Sequence, residues 1–124
     1  EAFGNAMTVR NNNSSRFGKW LDMMFTSTMQ LQGCNITHYL LETTRVCSQA
    51  QGERCYHIFF QLIQARNEPE FKSLKIEEPS FYNYLKNSCR TAPGIDDAKC
   101  FEETREAFTA LGFSSAEQKE IFRV

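Results

Sequence analysis

The apolar pattern of this chain changes period partway along, and that change restricts what it can fold into. Between Phe17 and Phe25 the residues Phe17, Leu21, Met23 and Phe25 recur at a spacing of two, with Lys19 interrupting. Such alternation puts one set of side chains on one face of an extended strand. Beyond Gln51-Gly52 the spacing becomes three and four, as in Cys55, Ile58, Phe59, Leu62 and Ile63, the mark of a helix with one apolar stripe. The pattern predicts an α/β chain with strands first and helices later. Further strands are expected over 34–41 and around 43–47, the latter rich in β-branched residues, so the strand region runs over about 17–47.

Helices are expected over about 53–66, 96–111 and 114–124, with a short helical turn near 70–75 between Pro69 and Pro79. Pro93-Gly94 is a break, and Asp96-Asp97 then supplies negative charge where a helix N-terminus favours it. Ala98, Phe101, Phe108 and Leu111 continue that helix at three- and four-residue steps, with Arg105 as the polar exception and Gly112 placed to end it. Ser114-Ser115-Ala116-Glu117 reads as a capping box opening the last helix, which carries Ile121 and Phe122. The first residues read as a helix end and the last helix lacks a stop signal, which is the expectation for a fragment of a longer chain.

Eleven phenylalanines among 124 residues require substantial burial, inside this chain or against another surface. A net charge of −1 without a basic run gives no electrostatic footprint for nucleic acid. No apolar stretch reaches the ~20 residues of a membrane helix, so neither a nucleic-acid partner nor membrane insertion is expected. Cys34, Cys47, Cys55, Cys89 and Cys100 are odd in number and contain no Cys-x-x-Cys pair, which points to reduced thiols in a cytosolic setting. Sequons at Asn12, Asn13 and Asn35 are the accidental product of asparagine-rich sequence on this reading, and a secreted glycoprotein is the disfavoured alternative. Cys55 and His57 lie two residues apart on a predicted helix and point to nearly opposite sides, which argues against a thiol–imidazole pair. His38 and His57 read as packing or surface histidines, Phe59-Phe60 and Phe81-Tyr82-Tyr84 as core, and the Glu102-Glu103, Arg105-Glu106 face as solvated.

The segment that bears chemistry is Asn11-Asn12-Asn13-Ser14-Ser15-Arg16-Phe17-Gly18-Lys19. Hydroxyls and amides crowd a loop that enters a strand directly. A serine oxygen suits Mg²⁺, a hard cation. An asparagine amide can donate to phosphate oxygens without adding charge. An arginine just after the loop can clamp a carboxylate with its fork. The same residues are also compatible with a plain solvated turn.

Asn11-x-x-Ser14-Ser15-Arg16 resembles the switch I loops of myosins and kinesins. Its surroundings separate the two families. Glu1-Ala2-Phe3-Gly4-Asn5-Ala6 before the loop and Arg16-Phe17-Gly18-Lys19 after it resemble the myosin motor domain, whereas kinesins follow the arginine with serine and histidine. The likeness continues through Tyr39-Leu40-Leu41-Glu42 with Arg45-Val46, Gly52-Glu53-Arg54, His57-Ile58-Phe59, Leu111-Gly112-Phe113-Ser114 and Ile121-Phe122-Arg123. It covers residues 1–124 as a partial motor domain: switch I at 11–16, a few strands of the central sheet, then helices of the upper 50-kDa subdomain. Met7 stands where the family usually has lysine, Thr43-Thr44 where lysine–serine is commoner, and Cys55 where asparagine is usual. These departures fit an unconventional class.

The resemblance implies an ATP-dependent actin motor with ATP and Mg²⁺ as ligands. By position, Asn11 donates to the phosphates, Ser14 faces the γ-phosphate and the attacking water, and Ser15 gives its hydroxyl to Mg²⁺. Arg16 pairs with a glutamate of switch II and closes the site. It also implies actin filaments, the remainder of the motor and light chains as partners, and a place in the cytoskeleton. No Gly-x-x-x-x-Gly-Lys-Ser/Thr loop occurs, since Gly18-Lys19 is followed by Trp20. The isolated chain is therefore expected to hydrolyse no ATP and to fold incompletely. A non-catalytic interaction module or truncated relic of a motor head is the alternative reading.

Overall fold

The computed structural model describes residues 1–123. Strands precede helices, as the change of period requires, but they form two small antiparallel pairs. Strand β1 (Asn5–Ala6) pairs with β2 (Ser14–Ser15), while β3 (Gly18–Phe25) and β4 (Leu31–Tyr39) form a hairpin running from Gly18↔Tyr39 to Phe25↔Leu31. A register shift between Met24 and Phe25 brings the strands to a tight turn. There the Thr26 N–H donates to the Gln30 carbonyl at 2.8 Å, and Met29 takes the left-handed conformation. The alternation does not bury one face of this hairpin. Leu21, Met23 and Phe25 are exposed, and so are Trp20 and Met24 on the other side.

The strand expected around 43–47 is instead a single helical turn, α1 (Thr44–Cys47). The physical reason is Arg45, which is buried with its charge between Glu42 and Glu53. A buried guanidinium without carboxylates is costly, and Glu42 reaches Arg45 three residues on only if the backbone coils. Those ion pairs outweigh the weak strand preference of Thr43, Thr44 and Val46.

Helix α2 (His57–Gln64) starts four residues later than periodicity alone predicts, because Arg54–Tyr56 is extended. The Arg54 N–H donates to the Met7 carbonyl at 3.0 Å and Tyr56 bridges Ala6, so these residues add a third strand-like segment beside β1. Short 3₁₀ turns follow at Ala65–Asn67, Lys72–Leu74 and Pro79–Phe81. Helix α3 (Asp97–Ala110) is capped by Asp96, whose side chain accepts from the Lys99 N–H, and α4 (Ser115–Ile121) opens on a complete Ser114–Glu117 capping box. Val124, where the last predicted helix ends, lies outside the described residues.

Helices α2 and α3 enclose the core with Phe60, Ile63, Phe71, Leu85, Phe101 and Phe122. The Phe101 and Phe122 rings lie 5.1 Å apart and Phe71 meets both edge-on, a favoured aromatic geometry. Two aromatic or apolar positions depart from expectation, since Phe81 and Leu111 are both exposed. Arg105 is more than a solvated side chain. It pairs with Glu68 at 2.9 Å and Glu70 at 2.7 Å and lies over the Phe71 ring.

Candidate functional site: the Asn11–Arg16 loop and its ionic anchor

The loop is a connection between β1 and β2, so its two ends are brought together by backbone pairing. Ala6 is fully buried, with Ser14 on one side and Tyr56 on the other. The Arg16 N–H donates to the Gly4 carbonyl at 2.8 Å. Gly4 is required there, because a Cβ would lie 2.4 Å from the Phe17 ring.

Within the loop, most polar groups are used internally. The Asn11 N–H donates to Thr8 Oγ1 at 3.1 Å, and Asn11 Oδ1 accepts from the Asn13 N–H at 2.9 Å, an Asx-type turn. Asn13 Oδ1 accepts from Asn5 Nδ2 at 3.2 Å, and the Asn12 amide donates to the Pro93 carbonyl. Three groups remain available. With its oxygen engaged, Asn11 presents its NH₂; the Ser15 hydroxyl has no partner among the described residues; and Ser14 Oγ accepts from Arg16 Nη1 at 3.2 Å, which leaves its O–H free to donate. Of the predicted site residues Arg16 touches Ser14 alone, and its carboxylate partner here lies within the chain. Its Nε donates to Glu42 Oε2 at 2.7 Å.

Glu42 belongs to a chain of charges that residue pattern alone did not assign to the site. The same Oε2 accepts from Arg45 Nε at 2.8 Å, and Arg45 Nη1 donates to Glu53 Oε2 at 2.9 Å. Glu53 Oε1 in turn accepts from the Val9 N–H at 3.4 Å. The Tyr56 hydroxyl donates to the Glu42 carbonyl at 2.6 Å, and the Glu42 N–H donates to the Arg16 carbonyl at 3.0 Å. The Arg45 guanidinium, against partial burial and with help from Arg16, holds the Glu42 carboxyl below its usual range. The sequence signals were a carboxylate three residues before an arginine and the place of Glu42, Arg45 and Glu53 in segments that resemble the myosin motor domain, and neither tied them to the loop.

A second buried charge supports the loop from beneath. Arg54 is fully buried and forks onto Asp97 at 3.0 and 2.6 Å, with Nη2 also donating to the Arg90 carbonyl at 2.8 Å. Its guanidinium carbon lies 4.0 Å from the centre of the Phe60 ring. Arg54 Nη1 also meets His57 Nδ1 at 3.1 Å, while His57 Nε2 reaches the Asn12 carbonyl at 3.0 Å. A guanidinium can only donate, so His57 Nδ1 accepts and Nε2–H donates to the loop, which defines the neutral tautomer. Burial first, and then the Arg54 charge, push the His57 pKa below its ordinary 6.5. Cys55 is no partner for this imidazole. Its thiol is buried, directed to the Arg45 carbonyl at 3.6 Å, and its pKa is raised by burial.

The neutral imidazole has a consequence for stability. Because the folded pKa is depressed, the contribution of His57 is complete above about pH 6.5, the unfolded value. It is lost as the pH falls from there toward the folded pKa, since only the unfolded chain takes up the proton readily. Amide exchange at loop residues 11–16 is expected to accelerate between pH 7.5 and 5.5, after correction for intrinsic rates, and His57→Gln is expected to flatten that dependence. An equal acceleration in His57→Gln would place the titrating group elsewhere.

No three His, Cys, Asp or Glu side chains gather to hold a metal among the described residues, and no helix there is long and apolar enough to cross a membrane. The Ser15 hydroxyl, unengaged among the described residues, is an oxygen of the kind a hard cation accepts.

Comparison with known proteins places this chain in a family. The model for the myosin head (motor domain) matches residues 1–124. Myosin IA heavy chain of Dictyostelium discoideum is 48% identical over 98% of this chain, and myosin heavy chain IB of Acanthamoeba castellanii is 46% identical over 100% of it. Unconventional myosin-VIIb of Mus musculus is 45% identical over the same extent. The chain spans 13%, 11% and 6% of the length of these three relatives. This chain belongs to the myosin head (motor domain) family.

Proposed function

We propose that residues 11–16 form the switch I loop of an ATP-driven, actin-based motor, sensing the γ-phosphate and Mg²⁺ on behalf of a larger catalytic head. The observation that carries this reading is the division of labour inside the loop. The Asn11 and Asn13 side-chain oxygens are engaged locally, while the Asn11 amide, the Ser14 hydroxyl and the Ser15 hydroxyl remain free to face a ligand. When bound, Mg²⁺ would neutralise charge between phosphate oxygens. The Ser15 oxygen would be its contribution from this chain. Asn11 would donate to the phosphates, and Ser14, oriented by Arg16, would hold the attacking water in line. Catalysis of this kind rests on positioning and electrostatics. The loop orders around the γ-phosphate and loosens on its release, which couples hydrolysis to movement. Actin filaments, the remaining motor segments and light chains on a lever arm are the partners in this reading, and the cytoplasmic cytoskeleton is its location.

The test uses the complete motor that contains this segment. Ser15→Ala is expected to raise the Mg²⁺ concentration needed for half-maximal ATP turnover by about tenfold or more, the scale of one lost oxygen contact to a charge. Ser15→Thr, which keeps the hydroxyl, is expected to stay near the parent. An unchanged Mg²⁺ dependence in Ser15→Ala would remove Ser15 from the metal site and leave the interaction-module reading.

A further inference from the structure

The buried charges next to the loop do more than balance one another. We infer that Glu42, backed by Arg45, is a positioning residue for the hydrolysis step, acting through Arg16 on the Ser14 hydroxyl; this rests on the switch I reading above.

The geometry runs in one direction. Arg45 is almost wholly buried and cannot move without exposing or stranding its charge. It fixes Glu42 through two contacts, Nε to Oε2 at 2.8 Å and Nη2 to Oε1 at 3.4 Å. The Tyr56 hydroxyl and the Arg16 carbonyl hold the Glu42 backbone from either side. Glu42 is thereby a carboxylate with little freedom, and its Oε2 takes the Nε edge of Arg16. Only that edge is used. Nη1 then meets Ser14 Oγ, and Nη2 has no partner among the described residues. A guanidinium is planar and rigid, so fixing Nε sets the direction of both Nη groups. Arg16 is thus aimed at Ser14 and keeps one donor for a further acceptor outside this chain.

The anchor also governs the other end of the loop. Arg45 passes from Glu42 to Glu53, whose second oxygen faces the Val9 N–H. Entry and exit of the loop are therefore referred to one buried guanidinium. Glu42 touches no position where nucleotide would sit on this reading, so its loss should alter the alignment of Ser14 more than the encounter with ATP.

The experiment is a phosphate-burst measurement on the complete motor, comparing Glu42→Gln and Glu42→Asp with the parent. Burst rate and burst amplitude separate two explanations. Misalignment slows each active site, whereas a merely structural loss lowers the number of active sites and leaves their rate alone. Glu42→Gln keeps the size and removes the charge, and is expected to slow the burst by about 10- to 100-fold, the range seen for small displacements remote from the reacting atoms. The rate of binding of a fluorescent ATP analogue should stay within about twofold, since no contact with nucleotide is removed. Glu42→Asp retains the charge at a shorter reach and is expected to fall between. If Glu42→Gln is not recovered folded, Glu42→Asp decides by the same criterion. A parental burst rate with only the amplitude reduced would overturn the positioning role. If Ser15→Ala behaves as expected while Glu42→Gln shows that result, this inference alone fails. If Ser15→Ala keeps its Mg²⁺ dependence, the switch I reading fails first.

Discussion

Arg54→Ala is expected to destabilise the region around α2 by about 3–5 kcal/mol, the range for removing one partner of a buried ion pair. Truncation strands more than one group. Asp97 loses both hydrogen bonds to its carboxylate, the Arg90 carbonyl loses a donor, and His57 Nδ1 loses the donor that defines its tautomer. The Phe60 ring also loses the cation over its face. Arg54 Nε has no partner among the described residues, so its loss orphans no acceptor there. Native-state amide exchange in His57–Gln64 measures the effect locally, and protection there should fall by about two to three and a half powers of ten at the stated energy. Arg54→Met combined with Asp97→Leu should recover most of that protection, because it removes both charges together. A double variant as unprotected as Arg54→Ala would show that the packing of the arginine, rather than the orphaned aspartate, dominates.

The parts of the fold legible in the sequence were those fixed by local rules. Alternation between Phe17 and Phe25 marked β3, and Asp96 and Ser114-x-x-Glu117 marked the starts of two helices, because capping depends on neighbours within one turn. Residues 43–47 were misread for the opposite reason. Their β-branched side chains favour a strand weakly, while the coil is dictated by Glu53, eight residues beyond Arg45. The early limit of α2 follows the same logic, since Met7 holds Arg54 extended from 47 residues away. The candidate site divides likewise. Asn11, Ser14, Ser15 and Arg16 are adjacent and their resemblance to switch I could be read directly. Glu42, Arg45, Glu53, Arg54 and Asp97 come from three separate stretches, and only folding shows that each completes a charge belonging to another. The apolar alternation of β3 was visible too, but nothing in the pattern showed that both faces of its hairpin would be uncovered.

Arg16 should respond in the opposite manner to Arg54. Its side chain and that of Glu42 are each about a third exposed, at 29% and 33%, and exposed pairs contribute about 1 kcal/mol or less. Removing Arg16 also leaves no orphan carboxylate, because Arg45 continues to hold Glu42 Oε2. Arg16→Ala is therefore expected to change amide protection in His57–Gln64 very little. Its effect on hydrolysis by the complete motor should be large, about 10²–10³-fold in the phosphate-burst rate, the scale for losing a preorganised donor at a reacting centre. Arg16→Lys separates charge from shape. A lysine ammonium keeps the charge but cannot reproduce the rigid fork that reaches Glu42 Oε2 through Nε and Ser14 Oγ through Nη1. Arg16→Lys should consequently resemble Arg16→Ala in the burst while matching the parent in stability. A lysine variant with parental burst kinetics would show that charge alone suffices there, and the alignment of Ser14 through a rigid fork would have to be abandoned.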